Sequence, residues 1–332
     1  MKVLMLAWAD WANTGWRFSK CLEMLGLDVT YYKGRRHHFS YPEQGQLHPS
    51  LYHRKMYGKV QTVYAPALQR EVEKADVIHF IASTFVDSGV WLHGKRVIVQ
   101  HGGSLYRQNF IELNNFFNPI VDKTIIQCPD LLKLGAKNEK LIYYPVDTKK
   151  LTPDFGRRSN KLLVGHFPSN TTVKGTQAIR DTIQRLQGIS ELRDRFEYVG
   201  CNSDTAETLP WEKHLHRIRN CDIIIETCNA WQGTKVFGEW GNSALESAAL
   251  GKIVVTNSLA KRTYEEEYGA NALRIANNPK QLFHTLRTLL KMSDSQIERT
   301  KRETREWVVN NHSMAATANR LWKQVYSEFS NG

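Results

Sequence analysis

Short apolar runs alternate with amphipathic stretches from the start of the chain. Residues 3–7, 29–32, 77–80, 97–100, 124–127 and 141–144 form such runs, each bounded by polar or turn residues. Continuous apolar runs of this length predict strands buried on both faces. Between them lie stretches such as 18–25, where apolar positions recur at helical spacing. That rhythm predicts a parallel sheet with crossover helices. It pauses over 145–160, where proline, glycine and charge combine into a linker pattern. A second series follows at 162–165, 198–200, 223–225, 253–256 and 273–275, and the tail from about 294 to 329 is helical in composition. The expectation is two α/β domains with a cleft between them.

Composition fits that picture. The chain has 332 residues, 41% hydrophobic and 23% charged, which suits two folded domains and excludes a disordered chain. The sequence has no apolar stretch long enough to span a bilayer, and its first residues read as a strand, not as a signal peptide. The five cysteines are odd in number and lack a C-x-x-C pair. This argues against a disulfide framework or a zinc site and predicts a reducing, cytoplasmic setting. A net charge of +12 draws anions: nucleotides, anionic lipid surfaces or nucleic acid. Part of the excess is local. Lys33, Arg35, Arg36, His37, His38, His53, Arg54, Lys55 and Lys59 crowd one region beside Tyr31, Tyr32, Phe39, Tyr41, Tyr52 and Tyr57. That region reads either as a solvated loop or as an acceptor-binding surface, with Arg35, Arg36, Arg54, Lys55 and Arg107 as its candidate contacts.

Three segments carry candidate chemistry. The run 164–176 follows the first strand of the second series and holds His166, Ser169, Asn170 and Lys174-Gly175. Ligands of open α/β sheets bind at the carboxyl ends of strands, and a lysine there can neutralise a departing diphosphate. The second segment, 237–252, carries Gly238, Glu239, Trp240, Gly241, Asn242, Ser243, Ala244 and Glu246. A helix beginning near Ser243 offers unpaired amides to an anion. Ser243 and Glu246 also fit a capping box, which needs no ligand. The glycines and a Trp240 expected to be exposed fall outside that explanation, so both readings of Glu246 stand. The third segment, 99–107, sets His101 at a strand end before Gly102-Gly103-Ser104, facing the expected cleft. Asn13-Thr14-Gly15 after the first strand permits close approach of a phosphate.

Absences narrow the chemistry. The sequence contains no Asp-x-Asp pair for a metal-bound sugar diphosphate, no phosphate-binding G-x-x-x-x-G-K-[ST] loop and no G-x-S-x-G elbow. No metal ligand is expected.

At these motifs the chain resembles family 4 glycosyltransferases of the GT-B fold, over nearly its whole length. The resemblance rests on 75–79, His101-Gly102, 140–147, Lys174-Gly175, 220–225 and 245–252. It implies two Rossmann-like domains with parallel sheets facing across a cleft, at 1–155 and 156–312, with a C-terminal helix over 313–330 returning to the first. It also implies a nucleoside diphosphate sugar as co-substrate (a UDP- or GDP-sugar), no cofactor or metal, and transfer of a hexosyl or pentosyl group with retention. Lys174 would meet the diphosphate, Glu246 the ribose, and Gly15 with 242–244 the phosphates. His166, Ser169, Asn170 and Gly241 complete the expected donor contacts. His101, Lys174 and Glu239 are the expected catalytic set, with His101 beside the transferred sugar. Two positions depart from the family pattern: Gly238 stands where a glutamate is frequent, with Glu239 beside it, and His166 stands where an arginine is frequent.

The acceptor implied for most relatives is a glycan or lipid-linked sugar at an anionic membrane surface, so the chain is expected in the cytoplasm or peripheral to a membrane. Nucleic acid is the alternative, because phage enzymes of similar architecture glycosylate hydroxymethylated DNA bases; the setting would then be a host cytoplasm. A sugar-nucleotide-binding protein without transfer activity, or an epimerase-like enzyme, is the third possibility.

Overall fold

The structure, a computed structural model, describes residues 1–332 except 53, 157–158, 230, 233–234, 237 and 331–332, and except the side chains at 52, 54–55, 57, 231–232 and 235–236. The chain forms two compact units, 1–145 with 312–332, and 146–311.

The first unit is built on a seven-stranded sheet in which Lys2–Ala9 lies between Val77–Phe80 and Asp28–Arg35. Arg96–His101, Lys123–Ile126 and Glu139–Leu141 extend it on one side and Gln46–Leu47 on the other, all parallel. The strand Lys2–Ala9 is apolar from Val3 onward because both its faces are covered. Val3, Met5 and Ala7 pack with Phe18 and Leu22 of the helix Thr14–Glu23, and with Leu321, Val325 and Tyr326 from the tail. Leu4 and Leu6 pack the opposite way, with Phe80, Val99 and Tyr106. A small sheet of Arg54–Tyr57, Val60–Tyr64 and Thr84–Asp87 was not expected from the sequence.

The second unit carries a five-stranded parallel sheet in the order Phe196–Tyr198, Leu162–Gly165, Ile223–Ile225, Ile253–Thr256, Arg274–Ile275. The helices Thr176–Gln187 and Pro279–Leu290 cover one face with Ile179, Ile183, Leu186, Leu282 and Leu286. Beneath the sheet, Lys301 Nζ meets Asp222 Oδ1 at 2.5 Å, both side chains nearly fully buried, while Asp222 Oδ2 accepts from the Leu163 amide.

The linker composition suggests a division near 155, whereas residues 146–155 pack into the second unit. Arg305 donates to the carbonyls of Thr148 and Leu151, and Lys252 Nζ to that of Asp154. The tail beginning at His312 packs into the first unit. Lys123 Nζ donates to the Gln324 carbonyl and pairs with Glu328, and Tyr326 shares a hydrogen bond with the buried His79. Among the described residues no helix is long and apolar enough to cross a membrane.

Candidate functional site

In the second unit the chemistry-bearing residues gather at the carboxyl ends of the strands. After Leu162–Gly165 the chain makes one helical turn, Thr171–Lys174, whose first amides are capped by Asn170: its Oδ1 accepts from Val173 N at 2.9 Å. Gly175 ends the turn at φ 69°, and a side chain there would begin 2.5 Å from the Cys228 carbonyl. Lys174-Gly175 is therefore a tight corner that aims one ammonium group. That group pairs with Glu226, a buried carboxylate immediately after Ile223–Ile225 whose other oxygen accepts from the Thr256 hydroxyl at 2.8 Å. A Cβ built at Gly241 would sit 3.9 Å from Lys174 Nζ, so the glycine keeps the space beside the ammonium open.

Gly241 is also the N-cap of the helix Asn242–Ala249, and no side chain caps that helix. The capping box, one of the two readings open for Ser243 and Glu246, does not form, because the helix starts one residue before Ser243. The Ser243 carbonyl accepts from the Ser247 hydroxyl, and Glu246 Oε1 accepts from Trp211 Nε1 at 3.0 Å. Ala244 is buried, its amide turned to the Gly241 carbonyl. Trp240, expected to be exposed, is 1% exposed and packs edge-on against Tyr264.

Next to these groups opens a cavity of about 580 Å³, lined by Phe167, Val199, Cys201, Asn202, His214 and Arg217 among others. His214 ties the cavity to the helix start. Its Nε2 lies 3.4 Å from Ser243 Oγ, and burial lowers its pKa although Glu246 acts in the opposite direction. Arg217 is held by Glu207 at 2.8 Å. The cavity is lined by the Phe167 ring, a histidine and an amide side chain, and His214 links it to the start of Asn242–Ala249.

Two expected contacts turn out to be scaffolding. His166 is fully buried, with Nδ1 2.8 Å from the Ile225 carbonyl and Nε2 2.9 Å from Thr176 Oγ1. Burial pushes its pKa down to about 4. It is therefore a neutral pin between two strands and a helix and offers no charge to a diphosphate. Glu239 Oε1 accepts from Ser258 Oγ and from the Ala260 amide, fixing the turn before the helix Lys261–Tyr268. Ser169 and Asn170 are exposed. Among the described residues no group of three or more His, Cys, Asp or Glu could hold a metal ion.

The first unit is arranged differently. The place expected for a phosphate at Gly15 is taken by Asp10, whose two oxygens accept from the Gly15 and Trp16 amides at 2.8 and 3.0 Å. Gly15 serves packing: a Cβ there would lie 2.5 Å from Tyr31 Oη. His101, expected to face a cleft, is 1% exposed; it bonds to Ser83 Oγ at 2.8 Å and stacks on Tyr106 at 4.3 Å. Burial lowers its pKa to about 3, so it is neutral. Arg107 is paired with Asp130 at 2.7 Å. Arg35 and Arg36 are exposed, Arg35 over the ring of Trp11. Arg54 and Lys55 lie on a strand, with side chains outside the described part.

The sequence reading missed Asp10 and Glu226. Each is a carboxylate directly following an apolar strand, and that position was the available signal.

No family model matches the chain, and no curated protein matches it in sequence. Solved structures do match. HepE from Anabaena in complex with UDP-glucose aligns over 98% of this chain and 100% of its own, at TM-score 0.61 and 13% identity. Sucrose-phosphate synthase from Thermosynechococcus elongatus aligns over 100% of both chains, at TM-score 0.56 and 13% identity. The trehalose-6-phosphate synthase OtsA covers 100% of this chain and 99% of its own, at TM-score 0.61 and 9% identity. The fold is GT-B. The two sheet-bearing units are the two Rossmann-like halves of a GT-B fold, and Lys174, Gly241 and the cavity all belong to its second half.

Proposed function

We propose that this chain is a glycosyltransferase that binds a nucleoside diphosphate sugar in the unit 146–311 and passes the sugar to a hydroxyl acceptor with retention. The observation that carries the reading is the grouping of Lys174, the uncapped start of Asn242–Ala249 and the neighbouring cavity of about 580 Å³. In this reading Lys174 and the Asn242 and Ser243 amides face the diphosphate, Glu246 and His214 the ribose, and Phe167 with Asn202 the base.

The chemistry asks mainly for charge stabilisation. The bond from the anomeric carbon to the diphosphate oxygen breaks, the acceptor oxygen bonds to that carbon, and the acceptor proton passes to the departing phosphate. A positive group fixed beside the leaving oxygens lowers the barrier because charge grows there in the transition state. Glu226 holds Lys174 in place, and the arriving diphosphate competes for the same ammonium. His101 and Glu239, the other two residues expected to be catalytic, enter as positioning groups, since His101 is buried against Ser83 and Tyr106 and Glu239 is engaged by Ser258 and the Ala260 amide.

The test is thermal shift against UDP-, GDP-, ADP- and CMP-linked sugars, followed by release of free nucleotide from whichever donor binds. Stabilisation by one donor with slow release, abolished in Lys174→Ala, supports the reading. Binding without release identifies a sugar-nucleotide-binding protein instead, and no binding at all overturns the donor site.

A further inference from the structure

The region following Asp28–Arg35 in the first unit has no role in the donor site. Between Val29 and Arg70 the chain carries seven lysines and arginines and a single carboxylate, Glu43. This segregation coincides with an array of rings. Arg35 lies 5.0 Å over exposed Trp11, Lys20 4.0 Å over Trp16, and Arg17 6.0 Å over Tyr41. His37 stacks on His38 at 4.3 Å, and Phe39 packs against both. Of these rings, Trp16, His37 and Tyr41 line a cavity of about 730 Å³, together with Arg36, Glu43 and Gln46 among others. The loop is held from behind. Lys33 Nζ donates to Gln44 Oε1 at 2.5 Å, Gln44 Nε2 donates to the Tyr41 carbonyl, and Asn13 Nδ2 donates to the Glu43 carbonyl.

We propose that this surface binds an unpaired stretch of nucleic acid and receives one of its bases in the cavity as the acceptor. The proposal rests on the transfer reading above for the word acceptor, though not for the binding itself. Exposed guanidinium groups beside flat rings receive a phosphate and a base together, and bases stack on aromatic side chains whatever their identity. Gln46 offers an amide to the polar edge of a base. A lipid phosphate would find only charge useful here and would leave the rings without a partner. A neutral glycan would leave the exposed Arg35 and Arg36 without a purpose.

The experiment measures binding of the whole protein to short fluorescein-labelled single strands of DNA and of RNA, by anisotropy across a salt series, with no donor present. The expected result is binding to at least one of the two that weakens steeply with salt, as counterion release requires. Trp11→Ala is expected to weaken it by about tenfold, the size of one lost base stack, and Arg35→Ala with Arg36→Ala to flatten the salt dependence by up to about two phosphate contacts. Nucleotide-sugar affinity in the same variants serves as the fold control and is expected to match the parent protein. The proposal is overturned if neither strand binds, if both variants bind as the parent does, or if duplex DNA, vesicles with anionic lipid or a neutral oligosaccharide bind more tightly through the same residues. Strand binding without donor binding would defeat the transferase reading and leave this surface standing.

Discussion

Each unit has a helix beginning near the carboxyl ends of its parallel strands, yet the two starts are finished in opposite ways. In the first unit, Asp10 places both carboxylate oxygens on the Gly15 and Trp16 amides. In the second, Asn242–Ala249 begins at a glycine with no side-chain cap and with Lys174 nearby. A helix start attracts negative charge. Thr14–Glu23 receives that charge from its own chain, whereas Asn242–Ala249 does not. The first unit also has a glycine-started helix without a side-chain cap, Gly103–Phe117, so what marks the start at Gly241 is the ammonium of Lys174 beside it.

The comparison can be broken most severely at Lys174. Lys174→Ala is expected to reduce sugar transfer or donor hydrolysis by about a hundredfold to a thousandfold, the cost of one preorganised charge in a transition state. It is also expected to lower the melting temperature, because the buried Glu226 carboxylate loses its cation, with circular dichroism at the assay temperature confirming that the fold is retained. Wild-type turnover in that variant would remove the second unit's claim to the diphosphate. Gly241→Asp tests the asymmetry directly, because it gives the second unit the finish of the first. The nearest atom to a Cβ there is Glu226 Oε1, 3.6 Å away, so the Cβ fits beside a second carboxylate. The new carboxylate should cap the helix, compete with Glu226 for Lys174 and weaken nucleotide-sugar affinity by roughly tenfold to a hundredfold, while repulsion from Glu226 offsets what the cap adds to stability. Calorimetric titration reads the first effect and thermal melting the second; unchanged affinity would count against an open helix start.

Asp10→Ala performs the reverse operation and is expected to lower stability by about 1–2 kcal/mol through loss of a cap, measured by urea unfolding. Gly15→Ala presses a methyl group against Tyr31 Oη and should cost about 1–3 kcal/mol by overpacking. Tyr31→Phe combined with Gly15→Ala should recover part of that loss.

The smallest effect concerns acid. His79, His101 and His312 in the first unit are held neutral by burial with pKa values near 3, and His166 in the second near 4. A histidine whose folded pKa is depressed binds its proton more readily when unfolded. The stability it contributes is complete above about 6.5 and is lost as pH falls towards the folded value. With more such groups, the first unit should lose structure at a pH higher than the second by a fraction of a unit, as followed by hydrogen exchange of each unit.

Much of the fold is legible in the chain because buried parallel strands leave continuous apolar runs. The runs at 77–80, 162–165, 223–225 and 253–256 coincide with strands of the structure. The small sheet over 54–64 and 84–87 escaped because its residues are mixed in polarity. Within the candidate site, Lys174-Gly175 and the helix near 243 could be located from spacing, since both are local features. Roles that depend on distant partners could not. Glu246 is engaged by Trp211, His166 by Ile225 and Thr176, and Trp240 is covered by Tyr264. The motif S-x-x-E states what a chain can do at a helix start, and tertiary neighbours decide whether it does so.

The first unit takes its last pieces, Met314–Leu321 and the turns after it, from beyond the whole second unit. During synthesis the face of Lys2–Ala9 that bears Val3, Met5 and Phe18's helix must therefore wait for Leu321, Val325 and Tyr326. At ribosomal speeds of about 5–20 residues per second that interval lasts many seconds, while the contiguous second unit can close on its own. A nascent chain stalled before the tail emerges would carry one finished half and one half with an apolar flank exposed to chaperones, which makes the segment from His312 onward a completion signal for the half made first.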